Sequence, residues 1–123
     1  MNNSTLAKIS RRLKALSDPT RIKIITLLAS RSCCVCELAT ILGLAQPTIS
    51  RHLKQLEFEG FISGKRDKNW IIYSLDPKEE CCQKLLSILI NKALEDDEIK
   101  HLKKKLNSIQ RNSLTKDNKK ENV

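Results

Sequence analysis

Residues 33–60, CCVCELATILGLAQPTISRHLKQLEFEG, carry two short helical patterns on either side of a glycine. The first predicts a helix that begins at residue 32 or 33 and ends near residue 42. Gly43 suits its end, because glycine readily adopts the left-handed conformation found there. The second predicts a helix over 46–59, whose buried face has aliphatic residues at i, i+4 and i+7: Ile49, Leu53 and Leu56. Two helices that meet at a tight turn are typical of a helix-turn-helix.

A β-hairpin is predicted directly after this pair of helices. Residues 61–65 and 70–75 have the composition and spacing of two short strands. The turn at 66–69 has no glycine, and Asn69 is its residue most tolerant of a positive φ. The predicted fold class is therefore mainly α with a small β-hairpin, a winged helix-turn-helix.

Further helices are predicted at both ends of the chain. Apolar residues at helical spacing predict a first helix ending at Leu16, after which Asp18 and Pro19 suit the N-cap and first position of a second. After Pro77 a long helix is predicted, and aliphatic residues over 99–109 repeat at 3, 4, 3 spacing like a heptad seam. The predicted parts are a winged helix-turn-helix domain (1–97), an additional C-terminal helix (98–110) and a basic polar tail, expected to be disordered (111–123).

Length and composition exclude several classes of protein. The chain has 123 residues, enough for one domain and a helical appendage. The longest apolar stretch, 85–90, is too short to span a bilayer, and the N-terminus lacks the apolar core of a signal peptide. We therefore expect a cytoplasmic protein with no membrane partner. Thiols are kept reduced there, so the five cysteines are expected to be ligands or reactive groups rather than disulfides.

The net charge of +9 is concentrated at the two ends of the chain. Residues 1–31 carry seven basic and one acidic side chain, and residues 98–123 carry eight and three. Residues 32–97 carry eight basic and ten acidic side chains. A basic surplus favours a nucleic-acid partner, but solvated ends of a protein carry such a surplus as well.

The helix predicted over 46–59 also has a polar face. Its side chains lie at i, i+3, i+4 and i+7 and are of types that bond to base edges or phosphates in a major groove. A basic hairpin tip would contact the neighbouring backbone or minor groove. The alternative, a polar face that is only solvated, is disfavoured by the adjoining turn and hairpin. The candidate DNA-binding residues are Gln46, Thr48, Arg51, His52 and Gln55 in the helix, and Lys65, Arg66 and Lys68 in the hairpin.

These features together resemble the ArsR/SmtB family of metal-sensing winged-helix repressors. The resemblance covers residues 13–75, in which DPTR, CVCEL, PTISRHLK and LEFEGFI occur in the family's order. It implies a homodimer, which we expect to form through the terminal helices, bound to an inverted-repeat operator in double-stranded DNA. It places Thr48, Arg51 and His52 in the recognition helix, and it implies repression that is relieved when a ligand weakens DNA binding. Ala45 departs from the family, which usually has a capping serine there.

Cys34 and Cys36 match the C-V-C of arsenite-responsive family members. The resemblance therefore implies an operon for metalloid resistance, with As(III), Sb(III) or another thiophilic ion as inducer and no required cofactor. Thiolates are soft ligands that select such ions, and a helix start lowers the thiol pKa. The resemblance also implies three sulfur ligands. Ala39 occupies the position where related sensors often have a further cysteine, so Cys33 is the simplest third ligand.

The spacing of Cys34 and Cys36 predicts a mechanism. On a regular helix, residues at i and i+2 point about 200° apart, because each residue turns about 100°. The two thiols could then share an ion only if the turn unwinds or is distorted. We therefore expect ligand binding to strain the helix that supports the recognition helix.

Other interpretations of the cysteines stay open. Cys81 and Cys82 are a candidate second metal site, but Cys82 also continues an apolar stripe and is equally explained by core packing. A redox switch would instead close a disulfide from Cys36 to Cys34 or Cys33. A thiol–disulfide oxidoreductase would need a βαβ context that this sequence lacks, and no other catalytic motif is present, so we do not expect an enzyme. A protein–protein adaptor would leave the polar face of the recognition helix unexplained.

Overall fold

The computed structural model describes residues 4–109, in which six helices and three strands form a winged helix-turn-helix, as predicted. In chain order they are α1 (Thr5–Leu16), α2 (Pro19–Ser30), β1 (Cys33–Cys34), α3 (Val35–Leu42), α4 (Gln46–Phe58), β2 (Ile62–Asp67), β3 (Trp70–Leu75), α5 (Glu80–Ala93) and α6 (Asp97–Ser108). None of the helices in this part of the chain is long and apolar enough to cross a membrane. The predicted tail over 111–123 lies outside the described residues, and the division into three parts stays a prediction.

The helix boundaries follow from the capping residues. Asp18 adopts an extended conformation, and its carboxylate accepts a hydrogen bond from the backbone N of Arg21 at 3.0 Å, which caps α2. Gly43 ends α3 with φ 68° and ψ 34°, the left-handed conformation predicted for it. Ala45 is the N-cap residue of α4, and because its side chain is a methyl group it makes no capping hydrogen bond.

The structure has one strand more than the sequence predicted. Residues 33–34 are extended and pair with β3, giving an antiparallel sheet of order β1-β3-β2 in which Cys33 opposes Tyr73 and Cys34 opposes Ile72. The prediction that α3 begins at residue 32 or 33 is therefore wrong, since α3 begins at Val35. A strand of two residues is too short to leave a hydrophobic period, and its hydrogen bonds go to a strand far along the chain.

The positive φ of the hairpin turn also differs from the prediction. Asp67 pairs with Trp70, so the loop has two residues, and Lys68 has φ 59° whereas Asn69 does not have a positive φ. Both turn types that match the twist of paired strands take a positive φ at the first loop position, and one of them takes it only there. Position within the turn therefore outweighs the intrinsic tolerance of asparagine.

The core forms around α2, which is buried at every position from Ile24 to Leu28. The predicted stripe of α4 is confirmed, because Ile49, Leu53 and Leu56 are all fully buried. The apolar residues of α6 behave differently from a heptad seam: Ile99, Leu102 and Leu106 are buried against α2 and α3 of the same chain. α6 therefore packs against α2 and α3 and supports the helix-turn-helix of its own chain.

Candidate DNA-binding surface and dithiol site

Because the apolar stripe of α4 is buried, the opposite, polar face of this helix lies towards solvent. Gln46, Arg51 and Gln55 are exposed, while Thr48 and His52 are half-buried. The candidate hairpin residues Lys65, Arg66 and Lys68 are all exposed at or beside the β2–β3 turn. The structure therefore places all eight predicted DNA-binding residues where they are at least partly accessible.

Arg21 connects α4 to the preceding helices. Its side chain donates to the backbone carbonyls of Lys14 and Ala15 at the end of α1, and its Nη1 contacts His52 Nδ1 at 3.1 Å. A guanidinium is a donor only, so Nδ1 of His52 accepts and the ring proton is on Nε2. The sequence did not identify Arg21 as a positioning residue, although it belongs to the DPTR motif.

The surroundings of His52 also affect its protonation. Burial lowers the pKa of His52 below its ordinary value, and the charges of Arg21 and Arg51 lower it further, while Asp18 opposes them. The neutral imidazole therefore contributes stability that is present above pH about 6.5, the ordinary pKa of histidine, and is lost as the pH falls through the lower folded-state pKa.

We expect His52→Leu to lower the free energy of unfolding by about 1–2 kcal/mol at a pH of about 8, because Arg21 loses an acceptor. The deficit relative to the wild type should shrink as the pH is lowered to about 5, since protonation favours the unfolded wild-type chain, in which the histidine has its ordinary, higher pKa. Urea denaturation at both pH values measures this. His101→Leu, at an exposed position of α6, is the control. An equal deficit at both pH values would contradict the contact with Arg21.

Cys34 and Cys36 lie together at the start of α3, with their Sγ atoms 2.9 Å apart. Cys34 is the N-cap residue, with an extended backbone (φ −91°, ψ 170°), so its side chain turns over the first turn of the helix. The expectation that this turn of α3 must unwind or be distorted before both thiols can share an ion is therefore wrong, because the two sulfurs already converge beside an intact α3. It assumed that both residues are helical, and only Cys36 is.

The hydrogen bond between the two sulfurs separates their acidities. It lowers the pKa of Cys36, while the same bond and burial raise the pKa of Cys34. Backbone N–H groups at the start of α3 also lower the pKa of Cys36. Cys36 is therefore the more readily deprotonated sulfur of the pair.

Glu37 completes the start of α3 from inside the protein. Its carboxylate is fully buried, with Oε1 accepting from the backbone N of Cys34 at 2.9 Å and Oε2 from Arg31 Nη1 at 2.9 Å. A buried carboxylate requires such partners, because an unpaired buried charge is very costly. No periodicity reveals this residue; a capping-box spacing of Glu37 three residues after the N-cap is the one signal available from the sequence.

The other cysteines do not join this pair in the described protomer. Cys33 belongs to the hydrophobic core. Because successive side chains of a strand point to opposite faces, its thiol points away from that of Cys34. Cys82 is buried too, with Sγ directed at the carbonyl of Glu59 at 3.8 Å, and its burial raises its pKa. Cys81 is half-buried beside Arg12. Within residues 4–109, no group of three or more His, Cys, Asp or Glu side chains is placed to hold a metal ion.

An apolar surface lies on the outer helices. Three large side chains of α1 and one of α5 are exposed to solvent: Leu6 (77%), Ile9 (37%), Leu13 (49%) and Ile88 (71%). The α1 residues lie at i, i+3 and i+7, so they form one continuous stripe along the helix. A stripe of large exposed apolar side chains of this kind marks an interaction surface.

Comparison with known proteins agrees with this geometry. The model of bacterial regulatory proteins of the arsR family matches residues 18–63, which extend from the N-cap of α2 into β2. The chain is 46% identical over 66 residues to the arsenic resistance transcriptional regulator ArsR2 of Pseudomonas putida, covering 53% of this chain and 57% of that protein. It is 43% identical over 61 residues to a helix-turn-helix transcriptional regulator of Methanocaldococcus jannaschii, covering 49% and 68%.

Two solved structures extend the similarity beyond the aligned region. The transcriptional repressor BigR from Xylella fastidiosa has a TM-score of 0.63 at 27% identity, covering 75% of this chain and 89% of that one. The homodimeric winged helix-turn-helix DNA-binding domain of Mb0332 from Mycobacterium bovis has a TM-score of 0.62 at 25% identity, covering 79% and 93%.

The fold and the exposed face of α4 thus define a winged helix-turn-helix regulatory protein. The chain belongs to the ArsR family, as its sequence motifs predicted. The aligned region spans little more than half the length of the ArsR2 relative, 57% of it.

Proposed function

We propose that this chain is a homodimeric transcriptional repressor of a metalloid-resistance operon, released from its DNA operator when a thiophilic ion such as As(III) or Sb(III) binds Cys34 and Cys36. The observation that carries the proposal is the 2.9 Å contact between the two sulfurs at the start of α3, the helix that packs against the recognition helix. The family of regulatory proteins agrees with the prediction of a non-enzymatic protein. A cytoplasmic location stays a prediction.

DNA binding is supported by the exposed polar face of α4 and the basic hairpin. Arg51 and Gln55 project from the face opposite the buried stripe, where a helix lying in a major groove would present them to base edges. Lys65, Arg66 and Lys68 are placed to contact phosphates beside it. An operator with an inverted repeat follows from a dimer, because a two-fold protein reads two matching half-sites.

The thiophilic inducer is supported by the chemistry of the pair and by the arsenic-resistance relative. The two Sγ atoms lie 2.9 Å apart, and the pKa of Cys36 is lowered. Sulfur is a soft ligand and favours soft ions. The proposal rests on Cys34 and Cys36. A third sulfur from Cys33 and a second site at Cys81 and Cys82 stay predictions.

The homodimer is supported by the stripe on α1. Leu6, Ile9 and Leu13 are exposed although they share one helix face, and Ile88 of α5 is exposed as well. Covering this surface with a second copy would remove it from water, which is the main force in such association. The homodimeric Mb0332 domain has a similar fold. Dimerisation is therefore proposed through α1 and α5 and not through α6, whose apolar side chains are already buried.

A gel shift on DNA from upstream of the protein's own gene tests the repressor and its inducer. As(III), Sb(III) and Cd(II) are titrated against wild type, Cys34→Ser, Cys36→Ser and the control Cys81→Ser. We expect As(III) or Sb(III) to weaken DNA binding at least about tenfold in the wild type and in the control, within the usual range of allosteric coupling. Either substitution in the pair should abolish the response while DNA binding persists.

Three results would contradict parts of the proposal. Equal DNA affinity with and without saturating ions would contradict the proposal that these ions are inducers. A full response in Cys34→Ser moves the site elsewhere. If the protein is a monomer in sedimentation equilibrium at the concentrations of the gel shift, the proposed homodimer is wrong.

A thiol-based redox regulator with the same fold is the second candidate function. It is favoured by the lowered pKa of Cys36 beside the Cys34 thiol. Peroxide would oxidise the Cys36 thiolate to a sulfenic acid with release of hydroxide, and Cys34 would then displace water to form the disulfide. Loss of DNA binding with peroxide, reversed by a dithiol and independent of metal, would favour this function over the first.

A further inference from the structure

A continuous chain of hydrogen bonds joins the dithiol site to the far end of α6. Arg31, whose Nη1 binds Glu37, also donates through Nη2 to the carbonyls of Leu106 at 3.2 Å and Ile109 at 3.3 Å. Glu37 in turn holds the backbone N of Cys34. Leu106 lies in the last turn of α6, where its carbonyl also accepts from the backbone N of Ile109, and Ile109 is the residue that follows the helix, so the guanidinium binds the C-terminal end of α6 at two carbonyls.

α6 also holds the opposite end of α3. Lys105 donates from Nζ to the carbonyl of Ile41 at 3.3 Å, in the last turn of that helix. Near its start, α6 is tied to α2 by an ion pair between Lys23 and Glu98 at 2.7 Å. α3 is therefore held at both ends by one helix, and α3 packs against the recognition helix α4.

We propose that Arg31 is a positioning residue that transmits the state of the Cys34–Cys36 pair to α6. The inference rests on the proposed ligand site. An ion held by both sulfurs replaces the hydrogen bond between them, and Cys34 is also fixed through its backbone N to Glu37. Because Glu37 is fully buried in a closely packed interior, a shift of Cys34 displaces the carboxylate, its partner Arg31 and the carbonyls that Arg31 holds.

If Arg31 releases the C-terminal end of α6, α3 loses one of the connections that hold it in place. A helix that loses a contact at one end can shift against its neighbours, and small shifts of packed helices are a common basis of switching. In this arrangement the recognition helix moves without any unwinding of α3. Arg31 therefore couples the ligand to DNA, although it binds neither.

Hydrogen exchange of α6, measured beside DNA affinity, tests the role of Arg31. The variant is Arg31→Lys, which keeps the charge beside Glu37 but cannot bridge the carboxylate and two carbonyls as the planar guanidinium does. Arg11→Lys is the control, because Arg11 also pairs with a carboxylate, Glu59, and has a similar exposure of 37% against 34% for Arg31. As(III) binding is followed separately by the thiolate absorption band.

In the wild type and the control, saturating As(III) should increase the exchange of amides over 102–108 and lower DNA affinity at least about tenfold. In Arg31→Lys this segment should exchange faster and DNA affinity should be lower before any addition, As(III) should bind at least as tightly as in the wild type, and the further loss of DNA affinity on adding As(III) should fall below about threefold. A wild-type response in Arg31→Lys overturns the proposal. So does release of DNA without any change in α6 exchange.

A second probe keeps this test independent of arsenic. Dibromobimane bridges two neighbouring thiols, each thiolate displacing one bromide to form a thioether. In a Cys81→Ser background, bridging of Cys34 to Cys36 should increase α6 exchange, and adding Arg31→Lys should remove the increase. If As(III) fails to bind but the bridge alters α6, the proposed inducer is wrong and the connection stands. Unchanged α6 exchange in the bridged protein overturns the connection itself.

Discussion

Replacing Phe61 by alanine is expected to lower the free energy of unfolding by about 3–5 kcal/mol. Phe61 is fully buried and is the largest of the completely enclosed side chains in the described residues. It lies between α4 and β2, where its backbone N donates to Leu56 and its carbonyl accepts from Asp76, so the backbone leaves little freedom to close the cavity. Urea denaturation followed by circular dichroism measures the loss.

The matched control is Phe58→Ala, three residues earlier at the end of α4. Phe58 is 82% exposed, so removal of its ring should change the free energy of unfolding by no more than about 0.5 kcal/mol. The same residue type thus gives opposite expectations. Similar losses in the two variants would contradict the burial of Phe61 or the exposure of Phe58.

Glu37→Ala should lower the free energy of unfolding by about 2–4 kcal/mol, because it leaves two donors without their acceptor. The backbone N of Cys34 loses its acceptor inside the protein, and Arg31 loses its carboxylate. The guanidinium is 34% exposed and keeps some hydration, so the loss is smaller than for a pair buried on both sides. Thermal and urea denaturation both report it.

Glu37→Gln separates the two contributions. The amide oxygen can still accept from Cys34, while the charge opposite Arg31 is gone. We expect a loss between those of the wild type and Glu37→Ala. If glutamine and alanine destabilise equally, the hydrogen bond to Cys34 contributes nothing, and the start of α3 is held by the ion pair alone.

The recognition helix was the most predictable part of the protein. Its buried stripe repeats at helical spacing, and Gly43 ends the helix before it, so bounds and orientation follow from local rules. The thiol pair was also found from the sequence, because the C-V-C motif is contiguous. Its geometry was not: the prediction placed Cys34 on a helix, whereas pairing with β3 makes it extended.

The sequence by itself determined the class of fold, the polar face of α4 and the identity of the two thiols, because each depends on residues within a turn or two of one another. Only the tertiary structure decided how these parts communicate. Arg31 contacts Leu106 across 75 residues of sequence, and Glu37 is buried because distant segments close over it. Such contacts leave no local period, since a hydrogen bond between remote residues is set by how the helices pack and not by the spacing of side chains along either helix.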